Sequence, residues 1–112
     1  PKMAEKNEAE QKKILVEVQN GTKIAGLAYK TSLQLLAKGF DIVNVKNAVR
    51  RDFMKTVIYD LSEGKYKEPL VDLRKSLDAN IGISIPAWLK ETAGGSVKNP
   101  DFVVILGENA EI

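Results

Sequence analysis

The stretch Ile14 to Ala28, ILVEVQNGTKIAGLA, decides the fold of this chain. Its first part, Ile14 to Gln19, is short, apolar and rich in β-branched residues, which predicts a central strand. The pair Asn20-Gly21 follows and is expected to supply the positive φ of a sharp turn. After the turn, the spacing of apolar residues predicts a helix over Ile24 to Lys38, with Thr22 as its N-cap.

The end of this turn is also the first candidate ligand site. Gly26 is predicted about one turn into the helix, where the missing Cβ lets the helix pack closely against the strand. The amides of the turn and of the helix N-terminus would then form a small positive pocket. Asn20, Gly21 and Thr22 are therefore candidate binding residues for an anion or a sugar. The simpler interpretation is a tight turn, because the Lys-Ser/Thr of a phosphate loop and the third glycine of a dinucleotide site are both missing.

Composition limits the classes of protein to which the chain can belong. It has 112 residues, 44% hydrophobic and 29% charged, which is typical of one globular domain. The net charge of +2 is too small to argue nucleic-acid binding. No apolar run is long enough to cross a bilayer, so we expect no membrane contact by this segment, although the full-length protein could be membrane-anchored.

The absence of cysteine and histidine removes several kinds of chemistry. Without cysteine there are no disulfides, thiol nucleophiles or thiolate metal sites in this segment. Without histidine, the serines lack their commonest activating base. Asp60 and Glu63 bracket a turn, and their spacing suits an Asx-type turn as well as a cation site. We therefore predict no catalytic residues, no metal and no cofactor.

The rest of the chain alternates strands and helices, with glycines and short polar segments between them. The patterns predict the order β-α-β-β-α-β-β, a small two-layer α/β sandwich with one sheet and two helices on one face. The third strand is expected to pair with the second, with a basic loop at the hairpin tip. The remaining predicted elements are strands 40–45, 56–60, 81–85 and 102–106 and a helix 67–77.

The two segments outside this pattern are expected to be irregular. The charged residues 1–13 are predicted to be a linker or a frayed lead-in to a single domain spanning 14–112. In residues 86–99, PAWLKE is predicted to form one helical turn and TAGGSVKN a mobile loop.

A basic loop and a single tryptophan provide the other candidate binding residues. The loop carries four cations and one opposing charge, Asp52, and could meet phosphate or carboxylate groups, or be an ordinary solvated loop. Phe53 beside these cations favours a contact surface. Trp88 could stack on a sugar ring or cover one end of the sheet. The four cations are Lys46, Arg50, Arg51 and Lys55.

Several motifs in one order resemble the LytR C-terminal domain family. That family has a strand ending in Asn-Gly-Ser/Thr, a Gly-Leu-Ala, a Gly-Phe before the second strand, a Thr-Val-Ile-Tyr-like third strand and a closing Asp-x-x-Val-x-Leu-Gly. The sequence departs from the pattern at Asn109, where the family often has Asp, and in a longer segment at 86–99. The matching pieces are VQNGTKIAGLA at 18–28, LLAKGFDIVNV at 35–45, TVIY at 56–59, the Leu-rich second helix and PDFVVILGEN at 100–109.

The resemblance implies an extracytoplasmic place in a bacterial cell envelope. Such domains often follow a membrane anchor and, in many proteins, a LytR-CpsA-Psr catalytic domain that transfers wall polymers to peptidoglycan. The leading hypothesis is a non-catalytic accessory domain that binds peptidoglycan or an attached anionic wall polymer, or that positions an upstream domain of the same chain. The alternative is a protein–protein interaction or oligomerisation module, because the apolar last strand or an exposed sheet edge could pair with another chain.

Overall fold

The computed structural model describes residues 14–92 and 99–110 of the chain. Strands and helices follow the predicted order, with one added helix before the last strand. Within the described ranges, no helix has the length and hydropathy needed to cross a membrane. The elements are β1 Leu15–Asn20, α1 Leu27–Ala37, β2 Asp41–Asn47, β3 Val57–Asp60, α2 Lys67–Leu77, β4 Asn80–Ile81, α3 Ala87–Thr92, β5 Phe102–Leu106 and a 3-10 helix at Glu108–Ala110.

Five strands form one mixed sheet in the order β2-β1-β5-β3-β4. β1 pairs in parallel with both β2 and β5, so the predicted central position of the first strand is confirmed, and α1 forms the crossover between β1 and β2. β5 lies in the middle of the sheet with all five residues buried, and β2 and β4 form the edges. The prediction of a small α/β sandwich is therefore confirmed, but its last strand is not an edge available for pairing.

The predicted partner of β3 is wrong. β3 pairs antiparallel with β5, with Val57 opposite Ile105, and in parallel with β4. The chain between β2 and β3 is therefore a crossover along the ends of β1 and β5 rather than a hairpin tip. Phe53 links both ends: its N–H donates to the Gly21 carbonyl at 2.9 Å, and its carbonyl accepts from Glu108 N at 3.0 Å. The physical reason is that β5, apolar on both faces, takes the central position beside β1 and separates β3 from β2.

Each face of the sheet has its own core. α1 and α2 cover the first face, where Leu35 and Leu73 pack with Val16, Val18 and Phe102. The opposite face carries a second, smaller core in which Leu89 of α3 packs on β5. The two helices predicted on one face are thus confirmed, and the PAWLKE segment forms α3 on the other face. The rest of the second core is made by Ala48, Val103 and Ile105, with Phe53, Tyr59, Leu61, Ile85 and Trp88 packed against it.

The helix ends test the predicted boundaries. α2 spans the predicted residues, with Pro69 in the first turn, where a missing N–H is harmless. α1 is followed by a C-terminal glycine: Gly39 has φ 101°, its N–H donates to the Leu36 carbonyl at 3.0 Å, and Phe40 N donates to the Leu35 carbonyl at 3.1 Å. This pair of bonds is a Schellman motif.

Other predicted boundaries shift or lie outside the described residues. The predicted strand 81–85 is reduced to Asn80–Ile81, because Gly82 N makes the last bond to β3 and Ile83 is fully exposed. The predicted linker 1–13 and most of the predicted mobile loop, residues 93–98, lie outside the described residues.

Candidate functional site

The two glycines after β1 have the opposite roles to those predicted. Gly21 has no positive φ; instead, a Cβ there would lie 2.6 Å from the Leu106 carbonyl oxygen. Gly26 has φ 77°, and a Cβ there would meet nothing within 4 Å. Close packing therefore requires the first glycine, and backbone conformation requires the second. The prediction had these requirements reversed because local sequence cannot show that the end of β5 lies against Gly21.

The predicted N-cap is also wrong. α1 begins at Leu27, and its N-cap is Gly26, which makes no side-chain capping bond. Thr22 lies earlier and holds the loop: its Oγ1 accepts from Ile24 N at 3.0 Å and donates to Asn20 Oδ1 at 2.7 Å. The helix starts late because Gly26 in a left-handed conformation sets the chain direction only after this loop.

Asn20 and Thr22 are used inside this loop. Asn20 Oδ1 also accepts from Thr22 N at 2.9 Å, and Asn20 Nδ2 donates to the Ile24 carbonyl at 2.7 Å. Gly21 N donates to the Leu106 carbonyl at 3.0 Å. Both side chains are buried, and the turn amides of Gly21, Thr22 and Ile24 are bonded within the chain. A ligand role for Asn20, Gly21 and Thr22 stays a prediction without support from this geometry.

Two cations of the crossover contact other parts of the chain. Arg51 Nε donates to the Thr22 carbonyl at 2.7 Å and so ties the crossover to the turn after β1. Lys55 Nζ lies 3.1 Å from a carboxylate oxygen of Asp78, just beyond the end of α2. These contacts give Arg51 and Lys55 structural roles, whatever ligand the surface binds.

Lys46 takes part in a buried polar cluster that the sequence analysis missed. Its ammonium lies 3.7 Å from the carboxylate of Glu17, which is fully buried on β1. Glu17 also accepts hydrogen bonds from Gln19 Nε2 at 2.6 Å and Asn44 Nδ2 at 3.4 Å. Gln19 Oε1 is buried and has no hydrogen-bond partner among the residues that the structure describes. The available signal was a carboxylate inside an otherwise apolar strand. Its contacts with Lys46, Gln19 and Asn44 offset part of the cost of burying the charge.

Arg50, Phe53 and Trp88 are brought together on the second face; we call this group the aromatic stack. The guanidinium carbon of Arg50 lies 5.7 Å from the centroid of the Phe53 ring. The rings of Phe53 and Trp88 meet edge to face, with centroids 6.5 Å apart and an interplanar angle of 65°. The structure thus joins two predicted site residues, distant in sequence, through the aromatic ring predicted to favour a contact surface.

Arg50 has one further partner on its own loop. Its Nη2 lies 3.1 Å from Oδ2 of Asp52, and the two side chains are 61% and 68% exposed. The hydrogen bond from Arg50 is the largest cause that holds the pKa of the Asp52 carboxyl below its ordinary value. The stack therefore presents an exposed cation that is already in contact with an exposed carboxylate.

The acidic side chains are the remaining candidates for a cation site. Within residues 14–92 and 99–110, no three His, Cys, Asp or Glu side chains are grouped to hold a metal ion. Asp60 forms the turn that its spacing allowed, accepting from Ser62 N at 2.8 Å and from Gly64 N at 3.0 Å. The Asp60 carboxylate therefore stabilises the turn that precedes α2.

Asn109, the departure from the family pattern, also has a structural role. Its Oδ1 accepts from Thr56 N at 2.7 Å and from Thr56 Oγ1 at 2.9 Å. Its Nδ2 donates to the carbonyl of Asp78 at 3.0 Å. An amide suits this place, because it accepts on one side and donates on the other, which a carboxylate cannot do.

The helix layer contains a cleft that lies away from the aromatic stack. It has a volume of about 390 Å³ and lies between the end of α1 and α2. Lys38 and Lys75 line it together with Asp72, so its charge is mixed. No predicted site residue lies in it, and its open, mixed surface shows less chemical preference than the stack.

Comparison with known proteins identifies the family. A family model described as LytR cell envelope-related transcriptional attenuator matches residues 13–109, which is most of the chain. No curated protein and no solved structure matches the chain significantly. Domains of that family are cell-envelope-associated accessory domains. With its motifs in order and a match over most of its length, the chain belongs to the LytR_C family.

Proposed function

We propose that this domain binds peptidoglycan or an attached anionic wall polymer at an extracytoplasmic surface, through the aromatic stack of Arg50, Phe53 and Trp88. The observation that carries the proposal is the contact of the exposed Arg50 guanidinium with the Phe53 ring, which itself meets the Trp88 ring. The membership of a cell-envelope family supports the setting.

The chemistry of the stack suits a wall glycan. Aromatic rings bind the apolar faces of sugar rings, and a guanidinium pairs with a carboxylate or phosphate group. Because Phe53 already lies under the Arg50 side chain, less side-chain entropy is lost when the ligand binds. Neighbouring domains of the same protein would supply any catalysis, and this domain would hold them near the wall.

The experiment is co-sedimentation of the domain with isolated peptidoglycan sacculi, with and without attached polymers, at low and moderate salt. Arg50→Ala tests the cation, and Arg74→Ala, an exposed arginine on α2, is its matched control. The double Arg50/Arg51 substitution is less informative, because Arg51 ties the crossover to the Thr22 carbonyl.

A second pair of variants tests the rings. Trp88→Ala removes the ring at the end of the stack, and Tyr29→Ala removes an exposed ring from α1 on the other face. We expect saturable binding that weakens with salt, with Arg50→Ala and with Trp88→Ala, while both controls bind like the unmodified domain. Equal binding by the unmodified domain and all four variants would exclude the stack as the site. No sedimentation of the unmodified domain under any condition would reject the proposed function for the isolated domain.

Protein–protein contact is a second candidate function, favoured by one observation. Three large apolar side chains on α1 are about half exposed and lie along one side of the helix: Tyr29, Leu33 and Leu36. Size-exclusion chromatography with light scattering tests self-association. A strict monomer at high concentration would count against an oligomerisation role.

A further inference from the structure

The Arg50–Asp52 contact differs from the contacts of Lys46 and Arg51. Its two members are two residues apart on one loop, and both side chains are more than half exposed. Lys46, by contrast, lies against the fully buried carboxylate of Glu17, and Arg51 donates to a backbone carbonyl. The partners of those two cations are held by β1 and by the turn that follows it, whereas Asp52 can turn away into water without breaking any element of the fold.

Arg50 also retains donors that a ligand can use. A guanidinium carries five N–H donors, and in the described part of the chain Arg50 makes one side-chain hydrogen bond, to Asp52. A phosphate or carboxylate could accept two parallel bonds from the same fork. An exposed ion pair of this kind contributes little and is readily displaced. The Phe53 ring keeps the guanidinium in place during such an exchange.

From this geometry we propose that Asp52 is an internal competitor for the anionic group of the wall ligand. Its carboxylate occupies the guanidinium of Arg50 until a phosphate or carboxylate of the ligand displaces it. The inference rests on the proposed function and adds to it a ligand class, an anion-bearing glycan, and a residue that sets the threshold for binding. An aspartate is ionised at neutral pH even with its ordinary pKa, and Arg50 holds the pKa of Asp52 below that value, so the competitor is charged there.

The test compares Asp52→Asn with a charge-matched control. Asp72→Asn, on the exposed side of α2, removes one negative charge elsewhere and raises the net charge from +2 to +3, as Asp52→Asn does. Dissociation constants are measured at low and high salt on four probes. These are sacculi bearing a phosphate polymer, sacculi stripped of it, stripped sacculi with amidated carboxyl groups, and an uncharged N-acetylated oligosaccharide.

Asp52→Asn should bind the phosphate-bearing sacculi about two- to fivefold more tightly than the unmodified domain at low salt, a factor typical of one exposed ion pair. The gain should shrink at high salt and vanish on the amidated sacculi and the uncharged oligosaccharide. A gain that persists on stripped, unamidated sacculi identifies a carboxylate as the anion, and a gain lost on stripping identifies a phosphate.

Two results would overturn the inference, and they are distinguishable. If Asp52→Asn binds every charged probe no better than Asp72→Asn does, Asp52 does not compete, and the proposed function stands without it. If the unmodified domain and both variants bind none of the four probes, the proposed function and this inference fail together.

Discussion

The replacement of Gly21 by alanine tests the packing between the turn after β1 and the end of β5. A Cβ at this position would lie 2.6 Å from the carbonyl oxygen of Leu106 and 2.9 Å from side-chain atoms of both Ile105 and Phe53. The side chains can move slightly, but the carbonyl oxygen cannot. It already accepts a hydrogen bond from Gly21 N at 3.0 Å, and β5 is paired on both sides.

The magnitude follows from these contacts. Overpacking a tight site costs about 1–3 kcal/mol of unfolding free energy, and weakening the Gly21–Leu106 hydrogen bond adds about 1 kcal/mol. We therefore expect Gly21→Ala to lower the free energy of unfolding by about 2–4 kcal/mol. In Gly26→Ala the added Cβ would meet no atom within 4 Å. The only loss of unfolding free energy is then that of a left-handed backbone, about 1–2 kcal/mol. Gly26→Asn should cost less than Gly26→Ala, because Asn tolerates that conformation.

The assay is equilibrium unfolding in urea, followed by circular dichroism and by the fluorescence of Trp88, the single tryptophan. With an m-value of about 1–3 kcal/mol per molar, the midpoint for Gly21→Ala should fall by about 1 M or more. The m-value itself should not change. If Gly26→Ala destabilises the domain as much as Gly21→Ala, or more, the assignment of contact to the first glycine and conformation to the second is refuted.

Three further predictions concern polar contacts. Asn109→Asp loses the donor to the α2 end and should cost about 1–3 kcal/mol in urea unfolding; unchanged stability would mean that this bond contributes nothing. Glu17→Ala leaves the Lys46 ammonium and buried amides without their acceptor and should cost about 2–3 kcal/mol, so a loss smaller than that of an exposed substitution would contradict the structural role. Arg50→Ala should raise the lowered pKa of Asp52 towards its ordinary value, measured by NMR titration of the carboxyl group; an unmoved pKa would show that Arg50 is not its cause.

Much of the secondary structure was predictable because it depends on neighbours in the chain. α2 spans the predicted residues because its leucines recur at helical spacing and Pro69 fits only its first turn. The end of α1 followed from one glycine placed after the last apolar turn. The partner of β3 was not predictable in the same way, because pairing depends on which distant strand competes for the central position. β5, which comes from the far end of the chain, takes that central position.

The candidate site was also only partly predictable from the sequence. Sequence alone named Arg50 and Trp88 as separate candidates and Phe53 as a neighbour that favours contact. That these three side chains meet depends on α3 packing over the second face of the sheet. The roles of the other cations and the burial of Glu17 also depend on contacts across strands, which no local pattern contains.

The sequence by itself determined the class of fold, the family and the positions of most helices and strands, because periodicity, glycine placement and ordered motifs are local or nearly local properties. Tertiary structure decided which glycine needs space and which needs a positive φ, since that depends on Leu106 lying against Gly21. It also decided which cation remains accessible. Lys46, Arg51 and Lys55 contact Glu17, the Thr22 carbonyl and Asp78, which lie on other elements of the fold. Only long-range packing shows that Arg50 lies exposed on an aromatic ring beside a carboxylate that can leave.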